Sequence, residues 1–331
     1  MITVKVSTST NMPLIRQTPQ FSGIFNNIQF IENKEVESCD YWVVYDDLRS
    51  VEEVVVPQKN TILITGEPPC IKTYDNSFIN QFSTIITSHR NLKHLNIINY
   101  QPALPWHIGR KIINSDVSEY LLNFDELSSI DHFDKPHLLS VVVSSKAKTR
   151  DQKQRLKFIE IFKRRSNFNL ERFGIGFNRI DDKWDAIAPY KYHLVLENCA
   201  VPDYFSEKLS DTYLGGAYPF YYGCTNLDRY FSENSYTQID IYNIDESIEI
   251  IEKKINENIY ENSIETIMNA RNLIFMKYNF FALISYHINR NLINSRYPKE
   301  HIVMHPQTYY DKNSVSGKLK GLIRSLWNDF N

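Results

Sequence analysis

The stretch YKYHLVLENCAVPDYFSEKLSDTYLGGAYPFYYG, from Tyr190 to Gly223, decides how this chain folds. Its apolar start, YHLVLEN, reads as a buried strand, a short Pro-containing turn comes next, and SEKLSDTYLGG has helical character with Gly215 as a natural stop. AYPFYYG then reads as the next strand, so the segment predicts one strand–helix–strand unit of an α/β domain. The helix entrance holds Glu207 and Lys208. A first helical turn offers unpaired N–H groups and the positive end of the helix dipole, which suits an anion. The dipole alone favours a glutamate there, but it disfavours a lysine, which points to a separate anionic partner. Tyr204, three residues before Glu207, adds a hydroxyl. Two readings stand: ordinary capping, or a nucleotide cradle with carboxylate on ribose hydroxyls and ammonium on phosphate.

Working outward, HLLSVVVSS is a strand that runs through a basic loop into the amphipathic helix DQKQRLKFIEIFKRR, with Lys146, Lys148, Arg150 and Arg155 near its start. Most of these charges read as a solvated face. One correctly placed arginine suffices for a diphosphate, because its planar fork matches two oxygens. RFGIGFN offers Gly174 and Gly176 without the third glycine of a dinucleotide fingerprint, so a turn is the default. QIDIYN reads as a short further element, ESIEIIEKKINEN as a helix, and the pattern from about 263 to 294 as a long helical run.

The first part of the chain alternates in the same way, with MITVKVS, DYWVVYDD, NTILITG and FSTIITS as strands. NTILITG runs straight into Gly66-Glu67-Pro68-Pro69. The glycine permits a sharp turn and the two prolines stiffen the chain beyond it, which presents the Glu67 carboxylate at the strand's carboxyl edge. Glu67 is either a solvent-facing loop residue or a general base. The text weakens into polar, acidic sequence between Asn114 and Pro136. We place the domain boundaries at 1–125, 126–290 and a helical tail over 291–331.

With 331 residues, 42% hydrophobic and 23% charged, the chain has the composition of a soluble protein large enough for two domains. A net charge of −2 gives no global attraction to nucleic acid, and no nucleic-acid partner is expected. The four cysteines form no CxxC pair and no zinc spacing, and read as reduced thiols of a cytoplasmic protein. The histidines lack metal-ligand spacing with carboxylates, and the pairs Asp46-Asp47 and Asp181-Asp182 lack a supporting context, so no metal is expected. No apolar run is long enough to span a bilayer. In SGKLKGLIRSLWNDF, Leu319, Leu322, Ile323, Leu326 and Trp327 recur at helical spacing among Lys318, Lys320 and Arg324. This helix either packs on a core, the preferred reading, or makes a peripheral contact with the inner face of an anionic membrane.

The Tyr190–Gly223 segment resembles the signature of the α1,3/4-fucosyltransferases. Tyr190-Lys191-Tyr192, Glu197-Asn198, Tyr204, Glu207-Lys208, Pro219 and Gly223 fall in the order of that signature. GEPP is similar to the family's Gly-Glu turn, and FGIGFN to its glycine turn. The resemblance covers about residues 61–240. It implies a GT-B fold, two Rossmann-like domains facing each other across a cleft. It implies an inverting transferase that moves L-fucose from GDP-β-L-fucose to a glycan hydroxyl without a metal. The acceptor would be an oligosaccharide or glycolipid, such as the N-acetylglucosamine or glucose of a surface lipopolysaccharide glycan. By the same resemblance Glu67 is the catalytic base, and Arg155, Asn198, Tyr204, Glu207 and Lys208 bind the donor. Arg150, Gly174, Gly176 and Tyr222 are further donor-side candidates. Two competing readings are a transferase of this fold using another nucleotide sugar, and a relative that binds glycans or nucleotides without turnover.

Overall fold

A computed structural model describes residues 1–113, 118–291 and 297–313. The chain forms two compact units, one from residues 1–13, 26–100 and 290–331, the other from 14–25 and 101–289.

In the first unit the main sheet has strands β1 (Ile2–Thr8), β2 (Ile28–Glu32), β3 (Tyr41–Tyr45), β4 (Thr61–Ile64), β5 (Thr84–Thr87) and β6 (Ile97–Asn99). They lie in the order β2-β1-β3-β4-β5-β6, every neighbouring pair parallel. β3, β4 and β5 are buried along their whole length, which is why they read as continuous apolar runs rather than alternating ones. Trp42, Val44, Leu63 and Ile85 pack with Phe78 of the short helix Asn76–Ile79. The sequence reading missed β2 and β6. It also expected only helix beyond 291, whereas Glu300–Met304 is a strand antiparallel to Glu52–Val56, with Ile302 opposite Val54. A run of five residues with two β-branched side chains is too short for a stable helix and finds its partner far away in sequence. A helix does come after it, over Gln307–Asn313. The apolar pattern from Leu319 to Trp327 lies outside the described residues.

The second unit repeats the architecture with five parallel strands, β7 (His137–Val142), β8 (Glu171–Phe173), β9 (Tyr190–Leu196), β10 (Tyr218–Tyr222) and β11 (Thr237–Gln238), in the order β8-β7-β9-β10-β11. α1 (Arg150–Arg165) links β7 to β8, and α2 (Glu207–Leu214) links β9 to β10. α1 buries Phe158, Ile159 and Phe162, and Thr149 caps it in a capping box with Gln152. Ser206 caps α2 by accepting from the Lys208 N–H, and Gly215 is its C-cap; the left-handed residue that turns the chain away is the next one, Gly216, at φ 65°. The long helical pattern after 263 is interrupted by a π-helical turn at Ile274–Tyr278 between the helices Ile264–Leu273 and Phe280–Asn291.

The second unit begins earlier than the polar text near 125 suggested. The fully buried guanidinium of Arg16 donates to the carbonyls of Trp106 (2.8 Å), Ile108 (2.7 Å) and Leu122 (2.8 Å), which ties residues 14–25 and 101–122 to one body.

Candidate functional site

Strand β9 ends at Leu196, and the next two residues, Glu197 and Asn198, stand at the carboxyl edge of the sheet, where ligands of open α/β sheets bind. Glu197 is fully buried. Its carboxylate accepts from the Ser206 N–H (2.7 Å), the Ser206 hydroxyl (2.7 Å) and the Lys208 ammonium (3.1 Å), and so fastens the entrance of α2 to the end of β9. An unpaired charge at that depth would be costly, and the lysine next to the cap is what compensates it. Glu197 was read as a motif position only; a glutamate at a buried strand end beside a helix-entrance lysine was the available signal for the pairing.

Glu207 lies 3.5 Å from the ammonium groups of both Lys208 and Lys183. Burial alone would push its carboxyl up, but Lys208 and then Lys183 hold it well below the usual carboxylate range. Burial works against the Lys208 ammonium too, and Glu197 and Glu207 outweigh it and raise its pKa above the ordinary lysine value. Lys183 is held in turn by the fully buried Asp211, at 2.8 Å. Asp211 also accepts from the N–H groups of His107 (2.9 Å) and Ile108 (3.1 Å). Burial and then Lys183 bring the His107 imidazole down to about 4. None of Lys183, Asp211 and His107 was singled out as a site residue from sequence, because they sit well apart along the chain and carry no local motif.

Arg155 joins the cluster from α1. It is 4% exposed, donates to the Asn198 side-chain oxygen at 3.0 Å, and has a buried Nε with no hydrogen-bond partner. Burial lowers its pKa, and Glu197 and Glu207 oppose that shift. Arg155, Asn198, Glu207 and Lys208 are thus assembled in one place.

The remaining sequence candidates make other contacts. Tyr204 is 2% exposed, and burial of its ring fits a packing role more directly than contact with a phosphate. The preceding Asp203 pins that loop, accepting from Asn226, Arg229 and Tyr230. Arg150 is exposed and lies over the ring of Tyr242, 4.9 Å from its centroid. Tyr222 donates to Asp151 at 3.2 Å. Gly174, at φ 117°, allows the turn after β8 to close on the end of β7: a Cβ there would stand 2.3 Å from the Val143 carbonyl oxygen. Gly176 meets Ser145 in the same way, at 2.8 Å. Both glycines pack the turn after β8 against the loop that leads into α1.

The family model described as glycosyltransferase family 10 (fucosyltransferase) C-term matches residues 133–261, the span that carries β7 to β11, α1, α2 and every member of the cluster except His107. Through this segment, somewhat over a third of the chain, the protein is similar to glycosyltransferase family 10. Alpha-(1,3)-fucosyltransferase FucT of Helicobacter pylori is 28% identical over 100 residues, which are 28% of this chain and 21% of that protein, so the match spans about a fifth of the relative's length. An alpha1,3-fucosyltransferase crystal structure is similar at 18% identity and a TM-score of 0.47, over 80% of each chain. The same enzyme type with GDP-fucose is similar at 17% identity and a TM-score of 0.46, over 83% of this chain and 90% of the other. At such scores the two-unit α/β fold rests on this chain's own strand order.

Outside the family 10 segment, the first unit holds Glu67 in the turn after β4. Asp46, itself left-handed at φ 66°, accepts from the Gly66 N–H (3.2 Å), from Lys72 (2.9 Å) and from the Tyr74 hydroxyl. The Tyr74 hydroxyl is also bonded to the main chain of Glu67. The His89 ring donates from Nε2 to the Glu67 carbonyl at 2.8 Å, since a carbonyl can only accept. Burial lowers the His89 pKa, which keeps the ring neutral with its proton on that nitrogen.

Cys39 and Cys224 are buried thiols. Among the described residues no three or more His, Cys, Asp or Glu side chains are grouped to hold a metal ion, and no helix is long and apolar enough to cross a membrane.

Proposed function

We propose that this chain is an inverting fucosyltransferase of the GT-B type that moves L-fucose from GDP-β-L-fucose to a hydroxyl of a glycan acceptor. The second unit serves as the donor domain and the first as the acceptor domain. The observation that carries this reading is the Glu197–Ser206–Lys208 tie, which places a fixed ammonium and the N-terminus of α2 at the carboxyl edge of a family 10 sheet, beside a buried arginine with an unused N–H.

In the reaction the acceptor oxygen forms a bond to the anomeric carbon on the face opposite the leaving group. The bond from that carbon to the β-phosphate oxygen breaks, its electron pair leaves with GDP, and the acceptor's proton passes to Glu67. Arg155, Lys208 and the N–H groups entering α2 stabilise the charge that develops on the diphosphate; preorganised donors of this kind supply several kcal/mol. Glu207, kept ionised by its lysines, accepts from the ribose. Asn198, fixed by Arg155, orients the loop that carries the donor. Glu67 is the base, and the bonds from His89 and Tyr74 to its main chain hold it in place. The acceptor is a glycan, free or lipid-linked, worked on at the cytoplasmic side.

A thermal-shift panel of GDP-, UDP-, ADP- and CMP-sugars, then an acceptor screen, tests the reading. GDP-fucose is expected to raise the melting temperature and to release GDP when a glycan acceptor is added. Stabilisation by a different nucleotide sugar points to another transferase, and binding without turnover points to a glycan-binding protein.

A further inference from the structure

We propose that His107 is a donor-binding residue of this site, its imidazole sharing one ribose hydroxyl of the nucleotide with the Glu207 carboxylate. The inference rests on the donor reading above and extends it to a residue outside the family 10 segment.

The loop that carries His107 is fixed through its main chain. Asp211 accepts from the N–H groups of His107 and Ile108, Asp182 accepts from the Gly109 N–H at 2.9 Å, and Arg16 holds the carbonyls of Trp106 and Ile108. The imidazole itself is not used by this scaffold: its side chain is 35% exposed, and within the described residues neither ring nitrogen makes a hydrogen bond. Its Nδ1 stands 4.0 Å from the Glu207 Oε1. That gap is too long for a direct hydrogen bond, yet it is short enough for one oxygen atom to bond both groups. A hydroxyl fits such a gap, donating its proton to the carboxylate and accepting from the imidazole N–H.

Charge selects the ligand group. Burial, and after it the charge of Lys183, keeps the imidazole neutral at ordinary pH. Glu207 lies 4.0 Å from the ring, and Asp211 accepts from the N–H of the same residue. A neutral donor beside two carboxylates is a poor seat for a phosphate and a good one for a hydroxyl, whose proton the carboxylate takes. The phosphates are left to Lys208 and Arg155, on the far side of Glu207 in the network. His107 and Glu207 therefore divide the labour with the lysine and the arginine, hydroxyl to one pair and anion to the other.

The test is calorimetric titration of GDP, 2′-deoxy-GDP and 3′-deoxy-GDP into the full chain and into His107→Phe and His107→Asn. The wild type is expected to bind one of the two deoxy nucleotides about tenfold more weakly than GDP, the worth of one hydrogen bond to a charged group. His107→Phe is expected to weaken GDP by a similar factor and to leave that deoxy nucleotide unchanged, while His107→Asn, which keeps an N–H, recovers part of the loss. Equal weakening of all three nucleotides by His107→Phe, or unchanged GDP affinity in both variants, overturns the inference. So does a wild type that binds GDP and both deoxy nucleotides alike. A wild type that binds no GDP at all removes the donor reading itself, a result distinct from each of these.

Discussion

In the second unit Glu207 is held by charge: two lysines stand 3.5 Å from its carboxylate and a buried chain of Asp211, Glu197 and Ser206 holds the lysines. In the first unit Glu67 is held by its main chain: an imidazole donates to its carbonyl, and Asp46 gathers Gly66, Lys72 and Tyr74 around the turn. The difference matches the two tasks proposed for them. A carboxylate that takes hydroxyl protons in hydrogen bonds should stay ionised, and close cations depress its pKa. A base must accept a proton during the reaction, and the same cations around its carboxylate would make it a weaker one.

The largest expected consequence is kinetic. Glu67→Gln is expected to lower fucose transfer by about two to four decades with GDP affinity nearly unchanged. Retained transfer removes Glu67 from the role.

Lys208→Ala reverses the pattern and adds a structural cost. GDP affinity is expected to fall about ten- to a hundredfold, the range for charge-assisted bonds. Because Glu197 is left buried without its cation, stability should fall by about 3–5 kcal/mol. Glu197→Gln/Lys208→Met is expected to restore much of the melting temperature without restoring GDP affinity. If affinity returns with the fold, Lys208 acts only as a strut.

Asp46→Asn sharpens the contrast from the other side. It loosens the turn without touching the carboxylate of Glu67, and transfer is expected to fall about tenfold while GDP titrations match the wild type. Unchanged transfer shows that the turn does not need Asp46.

The smallest effect concerns pH. The folded-state pKa of Glu207 lies well below 4.5, the ordinary glutamate value, so its contribution to stability is complete above 4.5 and is lost as pH falls toward the folded pKa. Melting temperature should therefore drop less steeply below pH 4.5 in Glu207→Gln than in the wild type. Equal slopes mean that the ion pairs of Glu207 contribute nothing net.

The same contrast explains what sequence alone could reveal. Tyr190–Gly223 is a single strand–helix–strand unit whose cap, helix and neighbouring strands are all local, so strand, helix and motif were legible together. The buried strands β3, β4 and β5 were equally readable, because full burial writes itself as uninterrupted apolar sequence. The pairing of Glu52–Val56 with Glu300–Met304 was not, since nothing local marks a partner that far along the chain. The site divides in the same way. Glu207 and Lys208 stand out in their motif, whereas Asp46, Lys183, His89 and His107 matter through contacts that only the folded chain creates.

The central claim is that the entrance of α2 grips the diphosphate of GDP while Glu67 performs chemistry without contributing to that grip. Titration of GDP into wild type, Glu67→Gln and Glu197→Gln/Lys208→Met tests it in one experiment. The account predicts equal affinity in the first two and at least about tenfold weaker binding in the third, with all three folded. Wild-type affinity in the double variant would contradict it.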